Sequence, residues 1–232
     1  MKYKIKKIDS APNISVLDLA VHRKCYLGIS VNNPFFRDKH LGLLLKWIAN
    51  HFDECVIIIG DYLHRINESI LHGESGESAI ASSINRGNQI YEILDVTLSI
   101  LPQNKFKLYR WKQFLDENPN ALIEKEKLNQ LYNSNNNFRQ DILQSCADFI
   151  DRLIERGERL YLTKEEAINQ SKEYLLEEMG VFSVLIAQGY NVQVYPGTQL
   201  KILKDLANNK FPEIKSNLTS GVYIDLTVKK IK

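Results

Sequence analysis

Short apolar runs alternate with longer amphipathic runs along this chain. The first apolar run, at about 24–30, precedes a stretch at about 34–51 whose apolar residues recur at helical spacing. A second run, at 55–59, is apolar without interruption, which is typical of a strand buried on both faces. This alternation predicts an α/β fold in which helices flank a mostly parallel, doubly wound sheet. The length of 232 residues fits one domain that spans 1–232.

The remaining elements follow from the same periodicities and from turn residues. We expect an irregular lead-in at 1–23 and loops at 60–67 and 73–78. Further strands are predicted at about 106–111, 192–195 and 222–228. Further helices are predicted at about 79–98, through 122–131, at 138–156, from a capping box at 163–166 onward, and at 199–208.

Ser30 stands where a strand ends and a helix is predicted to begin. Asn32 and Asn33 are turn and N-cap residues, and Pro34 suits the first helical position. Ligands of open α/β sheets bind at this edge, where helix N-termini offer free N–H groups. A serine placed there could attack an ester with assistance from backbone donors. The alternative interpretation of the local pattern is a plain N-cap or turn serine.

A second candidate site is the pair Tyr174 and Glu178. The two residues are four apart, so on a helix they share one face, with β-carbons about 6 Å apart. A phenol beside a carboxylate can bind a protonated amine and relay its proton. The alternative is that these residues and the neighbouring glutamates, Glu173 and Glu177 among them, form a solvated acidic face.

Basic residues with aromatic neighbours concentrate at 105–112. The cations are Lys105, Lys107, Arg110 and Lys112, and they alternate with aromatic and apolar residues. This composition is typical of an edge that contacts RNA. A strand with solvated lysines explains the pattern equally well.

Composition excludes several classes of protein. Charged residues make up 25% of the chain and hydrophobic ones 44%, as in ordinary globular proteins, and a net charge of +2 means that any basic surface is local. The three cysteines lie far apart and form no CxxC pair, which indicates a reducing, cytoplasmic setting. No signal segment or membrane-spanning run is recognisable.

Familiar catalytic motifs are also missing from the sequence. The histidines match no zinc-ligand spacing, and neither GxGxxG nor GxxxxGK[ST] occurs, so we expect no metal and no nucleotide cofactor. Ser30 lacks the second glycine of a GxSxG elbow. A hydrolytic triad of Ser30 with Asp61 and His64 remains a weaker alternative, and it would make the protein a serine esterase.

Taken together, several short motifs resemble those of the tRNA-dependent cyclodipeptide synthases. Their order and spacing cover most of the chain. The motifs are Gly28-Ile29-Ser30-Val31-Asn32-Asn33-Pro34-Phe35-Phe36, Asp61 with His64-Arg65-Ile66-Asn67, Arg86-Gly87, Tyr174-Leu175-Leu176-Glu177-Glu178 and Tyr195-Pro196.

The resemblance implies a fold and a reaction. The fold would be a single Rossmann-like domain, similar to the catalytic domains of class I tyrosyl- and tryptophanyl-tRNA synthetases. The reaction would take aminoacyl groups from two aminoacyl-tRNAs through a covalent Ser30 ester and form a cyclic dipeptide without ATP. The protein would be a cytoplasmic monomer that binds neither DNA nor a membrane. A non-catalytic module that only binds aminoacyl-tRNA is the main alternative.

The resemblance also implies roles for individual residues. Ser30 would be the nucleophile, Tyr174 and Glu178 would hold the substrate amino group, and Tyr195 would assist proton transfer. The Tyr195-Pro196 pair resembles the Tyr-Pro subfamily, although Asn33 is more typical of the Tyr-His branch. Substrate-binding positions would be Gly28, Asn33, Asp61 and Pro196. The tRNA-facing helix would correspond to about 78–100, where Arg86 is the basic residue, and Lys105, Lys107, Arg110 and Lys112 would add to that surface.

Overall fold

The computed structural model describes residues 2–13, 21–37, 40–197 and 199–231 of the chain. Its strands are β1 (Lys2–Ala11), β2 (Lys24–Ile29), β3 (Glu54–Ile59), β4 (Phe106–Arg110), β5 (Val192–Pro196) and β6 (Val222–Ile231). Its α-helices are α1 (His40–His51), α2 (Arg65–His72), α3 (Gly76–Ser99), α4 (Trp111–Glu117), α5 (Asn120–Ser134), α6 (Asn136–Glu155), α7 (Lys164–Ala187) and α8 (Lys201–Ala207). Short 3₁₀ turns lie at Pro34–Arg37, Gln103–Lys105 and Asn217–Ser220.

The strands form one sheet in the order β1-β6-β5-β2-β3-β4. Neighbours from β6 to β4 are parallel, and β1 pairs with β6 in the antiparallel direction at one edge. Parallel strands need crossover connections, and the helices between them cover the sheet. The prediction of a mostly parallel sheet flanked by helices is therefore confirmed.

Alternate residues of the central strands face two different helical layers. Cys25, Leu27 and Ile29 of β2 belong to the apolar core shared with α1 and α3. Tyr26 belongs to the opposite core, in which α4 to α8 take part. Gly28 has the same orientation as Tyr26, and a β-carbon there would lie 3.6 Å from the Phe182 ring of α7. The face of the sheet that carries Gly28 is thus the face that α7 covers.

Helix α7 is the central element of that second layer. Thr163 begins it with a reciprocal capping box to Glu166, as predicted from the sequence. Its last three turns are almost wholly buried. At Gly180 it approaches α5 so closely that a β-carbon would lie 2.5 Å from the Ala121 carbonyl oxygen. Glycine is the residue that permits this contact.

Several predicted boundaries were wrong. The expected irregular lead-in contains β1, and residues 1 and 14–20 of that lead-in lie outside the described residues. The expected loop at 60–67 turns into α2 from Arg65, and α3 begins at Gly76, inside the expected loop at 73–78. Trp111, expected in a strand, begins α4. The first helix is a 3₁₀ turn followed by α1 from His40, with residues 38 and 39 outside the described residues.

No helix within the described ranges is long and apolar enough to cross a membrane.

Candidate active site

Ser30 directly follows the carboxyl end of β2 and opens a tight turn. The Asn33 N–H donates to the Ser30 carbonyl oxygen at 3.1 Å. The Asn33 side-chain oxygen then accepts from the Phe35 N–H at 3.0 Å, which caps the 3₁₀ turn that begins at Pro34. Asn33 is therefore the capping residue, and Ser30 is left free of that role. Its hydroxyl has no hydrogen-bond partner in the part of the chain that the structure describes.

A cavity of about 170 Å³ opens beside this turn. That volume is far more than the ~10–15 Å³ that a single water requires, so the cavity can hold a small organic group. It brings together residues that are far apart in the sequence. The predicted site residues that line it are Gly28, Ser30, Tyr174, Glu178 and Tyr195.

Glu178 places its carboxyl group in the wall of the cavity. Burial raises its pKa from 4.5 to about 7, because removal from water disfavours the charged form. No hydrogen-bond or ion-pair partner for it lies within the described residues. Such a carboxyl gives up its proton near neutral pH and gains strongly from a cationic ligand.

Two tyrosines complete this side of the cavity. Burial, followed by the nearby charge of Glu178, raises the pKa of Tyr174 well above its usual value, so its phenol stays protonated. Burial also raises the pKa of Tyr195, and the Asn33 side-chain amide donates to the Tyr195 oxygen at 3.2 Å. Asn33 therefore links the turn after Ser30 to Tyr195, and both phenols can donate a proton to a ligand.

The adjacent glutamate, Glu177, faces away from the cavity. It is 3% exposed and accepts from the Trp111 indole at 3.0 Å. Arg65 lies 3.1 Å from its carboxylate and Lys125 lies 3.4 Å from it. The alternative of a solvated acidic face is wrong for Glu177 and Glu178, because one is an internal ion pair and the other lines a cavity.

Asn33 and Pro196 line a more open depression next to the cavity. Asp61, by contrast, is fully buried and lines neither the cavity nor the depression. The Asp61 carboxylate accepts from the backbone N–H groups of Tyr62 and Trp111 at 2.7 and 3.2 Å and pairs with Arg110. A β-carbon on Gly87 would lie 2.5 Å from that of Asp61, so this glycine admits the aspartate against α3.

His64 is engaged away from Asp61. Its Nδ1 atom lies 3.0 Å from the Asn67 amide nitrogen, and its Nε2 atom lies 3.3 Å from Glu68. Neither Asp61 nor His64 lines the cavity that holds Ser30. This arrangement disfavours a serine esterase with these triad partners.

The predicted cationic residues each contact a group within the protein. Lys105 donates to the Ala49 and Phe52 carbonyl oxygens at 2.6 and 3.0 Å, which ties the end of α1 to the start of β4. The others form ion pairs. These pairs are Arg86 with Glu68, Lys107 with Glu54, Arg110 with Asp61 and Lys112 with Asp116.

Other lining residues were not predicted from the sequence. They include Ser145 and Arg152 of α6 and Gln193 of β5. Asn67 of α2 also lines the cavity; the sequence placed it in a motif but gave it no role. A polar residue inside the apolar run of β5 is a signal that marks Gln193, whereas Ser145 and Arg152 carry no comparable signal. Within the described ranges, no group of three or more His, Cys, Asp or Glu side chains is arranged to hold a metal ion.

Comparison with known proteins finds similar structures but no similar sequences. The sequence matches no protein-family model and no curated protein. The structure is similar to that of a cyclodipeptide synthase from Fluoribacter dumoffii, with a TM-score of 0.79 and 21% identity over 100% of this chain and 99% of that one. A cyclodipeptide synthase from Staphylococcus haemolyticus gives a TM-score of 0.72 and 16% identity, over 99% and 100%.

One further structure is informative because it includes a tRNA. The cyclodipeptide synthase of Candidatus Glomeribacter gigasporarum bound to Phe-tRNAPhe has a TM-score of 0.59 and 18% identity, over 90% and 89% of the two chains. A Mycobacterium tuberculosis protein described as relating cyclodipeptide synthetases to type I tRNA synthetases gives 0.68 and 14%, over 98% and 95%. The chain therefore has the fold of cyclodipeptide synthases.

Proposed function

We propose that this protein is a tRNA-dependent cyclodipeptide synthase of the Tyr-Pro type. The observation that carries the proposal is the cavity in which a free serine hydroxyl, an unpaired carboxyl and two phenols meet: Ser30, Glu178, Tyr174 and Tyr195. The fold shared with cyclodipeptide synthases supports it, as does the order of the sequence motifs.

The first step is transfer of an aminoacyl group to Ser30. The Ser30 oxygen attacks the ester carbonyl of an aminoacyl-tRNA, a new ester bond to serine forms, and the bond to the ribose oxygen breaks. The serine proton leaves with the ribose hydroxyl. Because the aminoacyl ester is already activated, this step requires neither ATP nor a metal ion.

The second step uses the amino group of the acyl-enzyme. Glu178 binds the ammonium by a charge-assisted hydrogen bond, with Tyr174 one helical turn away as a second contact. As a carboxylate it then accepts one proton, and its pKa of about 7 suits that role at neutral pH. The free amine attacks the ester of a second aminoacyl-tRNA, a peptide bond forms, and the ester bond to the ribose oxygen breaks. The proton that the amine loses on acylation leaves with the ribose hydroxyl of the second tRNA.

Ring closure completes the reaction. The new terminal amine attacks the ester on Ser30, which forms the second amide bond of the six-membered ring and returns the hydroxyl to serine. The reaction is intramolecular, so proximity accelerates it. We assign proton transfer in this step to Tyr195, whose phenol is oriented by Asn33.

The approach of the tRNA is part of the proposal. Lys107 and Lys112 have side chains that are more than half exposed, so both can exchange an internal carboxylate for a phosphate. The side chains of Arg86, Lys105 and Arg110 are more enclosed. They would contribute mainly to the positive electrostatic potential that attracts tRNA and less to direct phosphate contacts. Arg152 at the cavity has no ion-pair partner among the described residues and can reach the substrate end of the tRNA.

The test is incubation of the purified protein with a mixture of charged tRNAs and no ATP, followed by mass spectrometry. A diketopiperazine supports the proposal. Binding of charged tRNA without a product would support a non-catalytic module instead. Hydrolysis of simple esters without tRNA would support a serine esterase. We expect the enzyme to act as a monomer in the cytoplasm, where charged tRNA is available.

A further inference from the structure

Three side chains that line the cavity carry buried polar atoms without a hydrogen-bond partner among the described residues. The side-chain oxygens of Asn67, Ser145 and Gln193 are inaccessible to solvent and lack a hydrogen-bond partner among the described residues. These residues are 6%, 4% and 3% exposed, and all line the cavity that holds Ser30. An unpaired buried polar atom costs free energy, and several in one cavity indicate that a bound group supplies the partners.

The orientation of the Asn67 amide is fixed by a chain of buried groups. Arg86 donates to the Glu68 carboxylate at 2.6 Å, and that carboxylate faces His64 Nε2 at 3.3 Å. Burial lowers the pKa of His64, so the ring is neutral at pH 7. The Glu68 carboxylate favours the single ring proton on Nε2, although that nitrogen forms no hydrogen bond among the described residues. Nδ1 is therefore an acceptor and takes the N–H of Asn67 at 3.0 Å. The Asn67 oxygen, an acceptor, is left without a partner among the described residues, in a side chain that lines the cavity.

Gln193 and Ser145 add polar groups from two other elements. Val192 and Val194 point to the α1 side of the sheet, so Gln193, between them, points to the α7 side. Its side chain forms no hydrogen bond within the described ranges, and Ser145 joins it from α6. Gln193 and Ser145 can each accept or donate a hydrogen bond, whereas the unpaired oxygen of Asn67 can only accept one. The cavity therefore favours a ligand that donates a hydrogen bond.

The charged residues of the cavity further restrict which ligand it can hold. They are Glu178, which the proposed reaction assigns to the amino group, and Arg152, whose positive charge repels a cationic side chain. Leu175, Phe182 and Leu203 provide apolar walls for the carbon atoms of a ligand. The cavity thus combines apolar walls with a few hydrogen-bond acceptors. Ligand sites that recognise one polar functional group have this composition.

We propose that the cavity selects an aminoacyl group whose side chain is neutral and carries an N–H or O–H donor, such as an amide, hydroxyl, imidazole or indole. This inference rests on the proposed function. Asn67, Ser145 and Gln193 would be its specificity-determining residues. His64, Glu68 and Arg86 would be positioning residues that act through Asn67.

The experiment supplies the protein with each charged tRNA, singly and in pairs, and quantifies every cyclodipeptide by mass spectrometry. We expect wild-type products to contain a donor-bearing residue. Asn67→Leu and Gln193→Met remove the polar atoms at nearly constant volume. Each should lower the ratio of donor-bearing to apolar products by about tenfold, the effect of one hydrogen bond. Gln130→Met, on an exposed turn of α5, is the matched control and should leave the ratio unchanged.

The outcomes separate this inference from the proposed function. A wild-type protein that makes only cyclodipeptides of apolar residues would overturn the inference and leave the function intact. A protein that makes no cyclodipeptide would overturn the function and the inference with it. Unchanged ratios in both variants would also overturn the inference. Circular dichroism identifies any variant that fails to fold. In that case the ratio of donor-bearing to apolar products is measured in Ser145→Ala, the smallest of these changes, and an unchanged ratio there would overturn the inference.

Discussion

Glu178→Gln should make the protein more stable at neutral and alkaline pH while it removes activity. Burial raises the pKa of Glu178 from 4.5 to about 7. Because this pKa is raised in the folded state, the stabilising contribution of the protonated carboxyl is complete below about pH 4.5 and is lost as the pH rises through 7. The loss amounts to about 3 kcal/mol above pH 8. Glutamine keeps the shape of the side chain and never becomes charged.

The assay is urea unfolding of the wild type and the variant between pH 5 and pH 8.5. The unfolding free energy of the variant relative to that of the wild type should rise by about 2.5 kcal/mol from pH 5 to pH 8.5, an order-of-magnitude figure. Glu177→Gln is the matched control on the next residue. It leaves Arg65 and Lys125 facing a neutral amide, so it should destabilise the protein by about 1–3 kcal/mol. A difference for Glu178→Gln that stays constant with pH would refute the account of a desolvated carboxyl.

Further predictions concern the amine site, the tRNA surface and one close contact. Tyr174→Phe and Glu178→Gln should lose less activity together than the sum of their separate losses, and additive losses in the double-mutant cycle would assign them separate roles. Replacing Lys107 and Lys112 with Ala should raise KM for charged tRNA and reduce the slope of log affinity against log salt by about 1.5, whereas an unchanged slope would place the tRNA elsewhere. Gly87→Ala should lower the unfolding free energy by about 1–3 kcal/mol through its clash with the buried aspartate after β3, and an unchanged value would contradict that contact.

The parts of the fold that the sequence predicted well are those with local causes. The run at 55–59 is apolar because β3 is buried on both faces, and Thr163 caps α7 through a residue three positions away. β1 escaped prediction because its partner, β6, lies at the other end of the chain. The pairing of β1 with β6 also shifts register between Ile5 and Lys7, which interrupts the alternation of side chains along β1.

The site was predictable to the extent that its residues share one element or a known motif. Tyr174 and Glu178 are one turn apart, so their joint exposure to the cavity follows from helical geometry. The orientation of Glu177 into an ion pair depends on α2 and α5, which the spacing on α7 does not specify. Likewise, the acceptor role of Asn67 depends on the charge state and tautomer of His64, a property of the packed structure.

The most direct test of the central claim is the mass of the intact protein after it is mixed with one charged tRNA. We expect an increase equal to one aminoacyl residue, mapped by peptide sequencing to Ser30. The label should be absent from Ser30→Ala, and circular dichroism should show that this variant is folded. Release of a cyclodipeptide by the wild type without any label on Ser30, or by the alanine variant at the normal rate, would contradict the covalent mechanism.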